Sequence, residues 1–147
     1  MSEPSHTLPR PLGKTRFETE LQVRPDDIDM NQHVHASRYS DYLLAARYDQ
    51  MARCYKMSME EFLKIGFGWY VRTMHVDYKR ALTMGEIFVM RTWVEDMTKD
   101  SVQVNFEITK KVTGKLASDG YAVYTLVNLK TQRAEKIPDW IAEKYAI

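Results

Sequence analysis

SRYSDYLLAARYDQMARCY, residues 37–55, is the stretch whose reading decides the fold. It holds no Gly or Pro, is rich in Ala, Leu, Met and Arg, and carries two apolar stripes at helical spacing. Tyr39, Leu43 and Ala46 form one stripe; Leu44, Tyr48, Met51 and Tyr55 form the other. So wide an apolar face predicts a long helix enclosed on more than one side, because a helix with a single covered flank needs only one stripe. Upstream, Phe17, Thr19, Leu21 and Val23 alternate with Glu18, Glu20, Gln22 and Arg24, the period-2 pattern of a strand with one buried face. Arg24-Pro25-Asp26-Asp27 ends that strand, since proline cannot donate to a ladder and Asp favours turns.

Downstream, Ser58 and Glu61 stand in capping-box spacing ahead of a short second helix closed by Gly66. From Gly68 to about Lys136 the chain reads as strands. Tyr70, Met74, Val76 and Tyr78 alternate, as do Val102, Val104, Phe106 and Ile108, while Ile87 to Val94 and Tyr121 to Leu129 are apolar on both faces, as a central strand requires. Turn signals at Ala81–Gly85, Asp96–Asp100 and Thr113-Gly114 are short enough for antiparallel hairpins, and a last helical turn is expected after Pro138. The order is strand, long helix, short helix, then a four-stranded meander. One antiparallel sheet of about five strands wrapped around the long helix, an α+β arrangement, satisfies both the order and the helix's need for cover.

Length and composition bound the function. At 147 residues the chain is one domain, expected over 16–147. Residues 1–15, with three prolines and no periodicity, read as a mobile N-terminal tail. The 21 basic and 20 acidic side chains nearly cancel and are scattered, which argues against a nucleic-acid partner. No apolar run approaches the ~20 residues of a membrane span and no secretory leader is evident, so no membrane insertion and a cytoplasmic location are expected. A single cysteine, Cys54, has no disulfide partner and is expected simply to pack within the helix.

The loop between the first strand and the long helix concentrates the polar chemistry. Asp26, Asp27, Asp29, Asn31, His33 and His35 fall within ten residues, just before a helix N-terminus whose first amides lack internal partners and favour developing negative charge. An Asp in such a loop is ordinarily a turn or cap residue. His33-x-His35 has no third spaced ligand, so no metal is expected, and no other cofactor is called for. Arg47, inside the buried helix, is expected to make a structural ion pair or cap contact in preference to touching substrate.

Asp27-x-Asp29, His33-Val34, Tyr39 and Arg47 resemble the signature of the 4-hydroxybenzoyl-CoA thioesterase family, and the element order matches over about residues 17–137. The run Asp29-x-Asn31-x-His33-Val34 is also similar to the DxNxHV run of plant acyl-carrier-protein thioesterases. The resemblance implies a hotdog fold and hydrolysis of an acyl-CoA thioester. It implies Asp29 as nucleophile or general base, Asn31 and His33 as its catalytic partners, and amides at Ala36 and Ser37 as oxyanion donors or positioning groups. It also implies a homodimer, or a tetramer built from it, in which the strand from about Trp69 to Lys79 pairs with its copy. Acyl-carrier-protein thioesters as substrates, or binding of an acyl thioester without turnover, stay open as alternatives. Three positions depart from the pattern: His35-Ala36 stands where Asn-Asn is usual, Leu44 replaces an acid three residues before the helix Arg, and Ala81 replaces a proline. The chemistry suits so sparse a site, because a thiolate whose acid has a pKa of ~8.5 leaves without a strong general acid. Coenzyme A would need cations for its phosphates; Arg38, Lys79 and Arg80 are the candidates of choice, with Lys110 and Lys111 behind them.

Overall fold

The structure is a computed structural model that describes Leu8 and residues 10–147. The alternating segment after the tail forms β1 (Phe17–Gln22), and the Gly- and Pro-free stretch forms α1 (Arg38–Arg53). The capping box closes as its spacing requires ahead of α2 (Met59–Lys64). Ser58 Oγ accepts from the Glu61 amide at 3.1 Å, and the Glu61 carboxylate accepts from the Ser58 amide at 3.3 Å. Four long strands follow, β2 (Phe67–Tyr78), β3 (Ile87–Met97), β4 (Ser101–Lys110) and β5 (Leu116–Asn128). A two-residue β6 (Arg133–Ala134) and α3 (Asp139–Tyr145), beginning directly after Pro138, complete the chain.

The sheet is antiparallel and six-stranded, in the order β1-β3-β4-β5-β2, with β6 added to β5. The turns at Asp96–Asp100 and Thr113-Gly114 close hairpins as expected. The turn at Ala81–Gly85 does not: β2 pairs with β5 and β3 with β1, so the connection crosses from one edge of the sheet toward the other. The reason is burial. Leu82 is wholly enclosed, its carbonyl accepts from the Val34 amide at 2.9 Å, and Thr83 bridges to His33. Docking this segment beneath the pre-helix loop satisfies more apolar surface than a tight β2–β3 turn, and it leaves β2 at an edge.

α1 packs on the concave face through Tyr39, Tyr42, Leu43, Ala46, Gln50 and Met51, against Phe88, Met90, Phe106 and Ile108 of the sheet. Its rotation is fixed by one polar contact inside this apolar layer. The Gln50 side-chain carbonyl accepts from Thr92 Oγ1, and its amide donates to Thr19 Oγ1 at 2.9 Å. A buried amide stripped of these partners costs ~1–3 kcal/mol, so turning the helix by one residue is penalised. The expectation of cover on several sides holds for the first stripe and for Met51 and Tyr55 of the second, but not for the second stripe's first half. Leu44 and Tyr48 are 51% and 50% exposed. A curled sheet can cover one flank of a cylinder ~10 Å across, and the described residues supply no further layer for the other.

Of the tail expected at residues 1–15, residues 1–7 and 9 lie outside the described residues. Leu8 and Leu12 pack against the core, and the Gly13 amide donates to the Ala146 carbonyl at 2.6 Å. No helix among the described residues is long and apolar enough to cross a membrane.

Gly120 in β5 is required by close approach to β2. A Cβ there would collide with the His75 carbonyl oxygen, and backbone cannot swing aside as a side chain can. Gly120→Ala is therefore expected to lower stability by about 3 kcal/mol in urea unfolding, the upper range of overpacking. An unchanged midpoint would show that β2 and β5 do not meet in this register.

Candidate active site

The site is built from the tight loop that joins β1 to α1. An isolated bridge between Ile28 and Val34 brackets it, the Asp29 amide donates to the His33 carbonyl at 2.9 Å, and Gln32 turns the chain at φ +64°. Inside this turn Asp29 does what a short carboxylate does best: Oδ1 accepts from the Asn31 amide at 2.9 Å and the His33 amide at 3.4 Å. Both donors converge on one oxygen. Oδ2 has no hydrogen-bond partner among the described residues, so one carboxylate oxygen is oriented but unspent.

Asp27, two residues earlier, is spent completely. It is buried, and its Oδ2 accepts from the Tyr42 hydroxyl at 2.8 Å and the Arg24 amide at 2.9 Å, while Arg38 Nε lies 3.7 Å from Oδ1. Burial and then the Asp27 hydrogen bond hold the Tyr42 phenol far above the ordinary tyrosine range, so it remains a donor. The Asp27 carbonyl accepts from the His35 amide at 2.8 Å, which ties the far end of the loop to the same anchor. The two aspartates of the Asp-x-Asp pair thus have opposite environments, one enclosed and satisfied, the other half-buried with a free oxygen.

Asp29 borders a cavity of about 340 Å³ that is also lined by His33, Ala36, Tyr39, Tyr78, Lys79 and Arg80. Among the expected site residues, Asp29, His33, Ala36, Lys79 and Arg80 are therefore brought together. Asn31 is exposed and does not line the cavity. The Ala36 amide makes no hydrogen bond among the described residues, whereas the Ser37 amide and hydroxyl both meet His35 Nδ1, at 3.2 and 2.8 Å. Arg38 is engaged with Asp27 and with Asp41 at 3.4 Å, away from the cavity wall; Lys110 is paired with Glu86 at 3.3 Å and Lys111 with Glu20 at 2.7 Å. Lys79 and Arg80 hold only a long contact to Asp119 at 3.9 Å and the Leu116 carbonyl at 2.8 Å.

Tyr78 is the lining residue that the sequence did not single out. Its ring meets Tyr39 edge-on, centroids 4.9 Å apart, and both rings line the cavity that Asp29 borders. In the sequence Tyr78 is one more member of an alternating strand; its role depends on β2 ending where α1 begins, which no local pattern reports. Burial, then Tyr78 and Glu86, push the Tyr39 phenol up to about 12. It stays protonated and adds no negative charge beside Asp29.

A second cavity, about 350 Å³ and strongly apolar, lies further along α1 between Leu44, Met51, Phe62, Trp69 and Tyr124, with Arg47 in its wall. The expectation of an ion pair or cap contact for Arg47 is overturned. It is buried, yet no carboxylate among the described residues lies within ion-pair distance, and its Nη1 has no hydrogen-bond partner. The helix position that would place an acid one turn away carries Leu44 instead. Cys54 caps α1, partly buried, with its thiol pushed up by burial and so disfavoured as a thiolate. Among the described residues no group of three or more His, Cys, Asp or Glu is arranged to hold a metal.

Comparison with known proteins agrees with this architecture. The long-chain acyl-CoA thioesterase FadM of Escherichia coli K12 is 24% identical over 128 residues, 87% of this chain and 96% of that protein. A chloroplastic palmitoyl-acyl carrier protein thioesterase of Cuphea hookeriana is 32% identical over 79 residues, 54% of this chain but 19% of that longer protein. The crystal structure of a DHNA-CoA thioesterase from Staphylococcus aureus superposes with a TM-score of 0.82 at 24% identity, covering 88% of each chain. Residues 23–145 match the thioesterase-like superfamily, which takes in the pre-helix loop, the central helix and every strand of the sheet except β1; the chain belongs to that superfamily and has its hotdog fold.

Proposed function

We propose that the protein hydrolyses an acyl-CoA thioester to the free acid and CoA, with Asp29 as the reacting carboxylate. The observation that carries this reading is the half-satisfied Asp29: one oxygen held by two loop amides, the other without a hydrogen-bond partner among the described residues, in a residue that lines a cavity together with Ala36, whose amide is unpaired, and two cations. Acting as a base, Asp29 takes a proton from water, the resulting hydroxide adds to the thioester carbon, and the oxyanion is held by the Ala36 amide. The carbon–sulfur bond then breaks and the thiolate leaves to be protonated. Acting as a nucleophile, Asp29 adds directly, expels the thiolate and forms an anhydride that water hydrolyses. His33 is suited to positioning the water in either case, and Asn31, exposed at the loop tip, to meeting the thioester as it enters. Lys79 and Arg80 are suited to the CoA phosphates.

Acyl-carrier-protein thioesters are the second reading. It is favoured by the Asp29-x-Asn31-x-His33-Val34 run and by the similarity to the Cuphea enzyme.

The same reading makes the protein a homodimer joined through β2, or a tetramer built from two such dimers. This strand is twelve residues long, lies at the sheet edge, and exposes Tyr70, Val71 and Tyr78. A long, flat apolar edge left open is a site of aggregation, and antiparallel pairing with a copy about a two-fold axis removes it. Such pairing brings the start of one β2 beside the end of the other, and the open Leu44–Tyr48 flank of α1 toward the partner.

Asp29→Asn is expected to lower kcat on the best acyl-CoA of a chain-length panel by roughly 10²- to 10⁴-fold, read by a thiol reagent, with the fold intact. Asp27→Asn is the control: it should reduce thermal stability and leave most turnover. Equal activity of Asp29→Asn and wild type would remove Asp29 from the chemistry, and binding without thiol release throughout would make the protein a carrier of acyl thioesters.

Light scattering of the wild type is expected to give at least twice the chain mass at micromolar concentration, and Val71→Asp to shift it toward monomer by placing a charge in the paired edge. A monomeric wild type would end the β2 interface.

A further inference from the structure

Each amide that leads into α1 has a definite fate. The His33 amide donates to Asp29 Oδ1, the Val34 amide to the Leu82 carbonyl and the His35 amide to the Asp27 carbonyl. The Arg38 and Tyr39 amides donate to the carbonyls of His35 and Ala36, at 2.9 and 3.4 Å. Between them, the amides of Ala36 and Ser37 find no backbone or carboxylate acceptor among the described residues. The Ser37 amide is taken by a side chain instead. His35 Nδ1 accepts it at 3.2 Å, and the Ser37 hydroxyl lies 2.8 Å from the same nitrogen, turned away from any capping bond to α1. An amide can only donate, so Nδ1 presents its lone pair to both groups and the ring proton sits on Nε2. Ala36 keeps the one unspent N–H of the stretch.

The ring contact closes a turn around the peptide units on either side of Ala36. Nδ1 stands as many bonds from Cα as the side-chain oxygen of Asn does, so the imidazole makes here the bond that an Asx turn makes to the amide two residues on. His35, Ala36 and Ser37 are all exposed, so packing against the core does not fix these peptides. We propose that His35 is a positioning residue for the hydrolysis. By engaging the Ser37 amide it holds the Ala36 N–H where the oxyanion forms, and it withdraws the neighbouring donor from competing for that charge. Ala36 and Asp29 line the same cavity, so the held donor and the reacting carboxylate share one wall. An oxyanion donor is effective when it is in place before charge develops, because reorganisation at that moment adds to the barrier. The proposal rests on the acyl-CoA reading and deepens it.

Substitutions at position 35 separate the nitrogen from the ring. Asn places an oxygen where Nδ1 lies, Gln places its oxygen near Nε2, and Ala places none. His35→Ala and His35→Gln are each expected to lower kcat on the best acyl-CoA by about 10-fold and to keep KM within about 2-fold, since a positioned oxyanion donor acts in the transition state. His35→Asn is expected to rescue kcat to within about 2-fold of wild type, because it restores the acceptor for the Ser37 amide. Amide exchange followed by NMR reads the turn without substrate. The Ser37 amide should be protected relative to that of Ala36 in the wild type and in His35→Asn, and should lose that protection in His35→Ala. Nitrogen NMR of the wild-type imidazole should place its proton on Nε2. Equal kcat in His35→Ala and wild type would overturn the proposal, as would a ring proton on Nδ1, or turnover kept by His35→Gln and lost in His35→Asn. Absence of thiol release from the wild type with every acyl-CoA would overturn the hydrolytic reading, and the amide exchange tells that failure apart from a failure of the turn.

Discussion

A carboxylate taken out of water must be met by donors, and Asp27 meets that requirement with groups from three directions: the Arg24 amide behind it, the Tyr42 hydroxyl from α1 and the Arg38 guanidinium from the first turn of that helix. This one satisfied charge clamps the end of β1, the pre-helix loop and α1 into a single unit. The loop between the clamped points is only a few residues long, so its shape follows. Asp29 has little freedom except to turn inward on its own amides, and Ala36 reaches the helix N-terminus with its N–H unspent. The geometry of the Asp29 loop is thus a by-product of a structural carboxylate, and the loop needs no strong interactions of its own.

The crossing connection after β2 has consequences at the scale of the whole molecule. Sending Leu82 under the loop supports Val34 and His33 from below and delivers Tyr78, Lys79 and Arg80 to the same cavity. It also expels β2 to the sheet edge, where Tyr70, Val71, Arg72, Thr73, His75, Asp77 and Tyr78 are exposed. The two cavities lie toward opposite ends of that strand. One is polar and built on the helix N-terminus; the other is apolar and built on the helix middle.

Two buried charges, Asp27 and Arg47, are handled in opposite ways. Asp27 is fully coordinated, as expected of a group whose task is to hold backbone. Arg47 is surrounded by aromatic faces, which soften a cation's desolvation without neutralising it. The substitution of an apolar residue at position 44, one turn earlier, removes the nearest place from which the helix itself might supply an acid.

The sequence by itself determined the local elements. Period-2 alternation located β1, β2 and β4, the absence of Gly and Pro with helical periodicity located α1, and the Ser58/Glu61 spacing located the start of α2 to the residue, because each of these signals is carried by contacts within a few positions. It also marked the 26–37 loop as the chemical segment, since titratable side chains crowded before a helix N-terminus are visible in one dimension. What only the tertiary structure decided is which strand neighbours which, that Leu44 and Tyr48 remain open, that Arg38 is bound to carboxylates while Lys79 and Arg80 face the cavity, that Tyr78 belongs to the site, and that Arg47 has no counter-charge. Those facts depend on pairings between residues tens of positions apart. Short-range periodicity fixes which face of an element is apolar, but the partner of that face, or of a buried charge, is chosen by the packing of the whole chain.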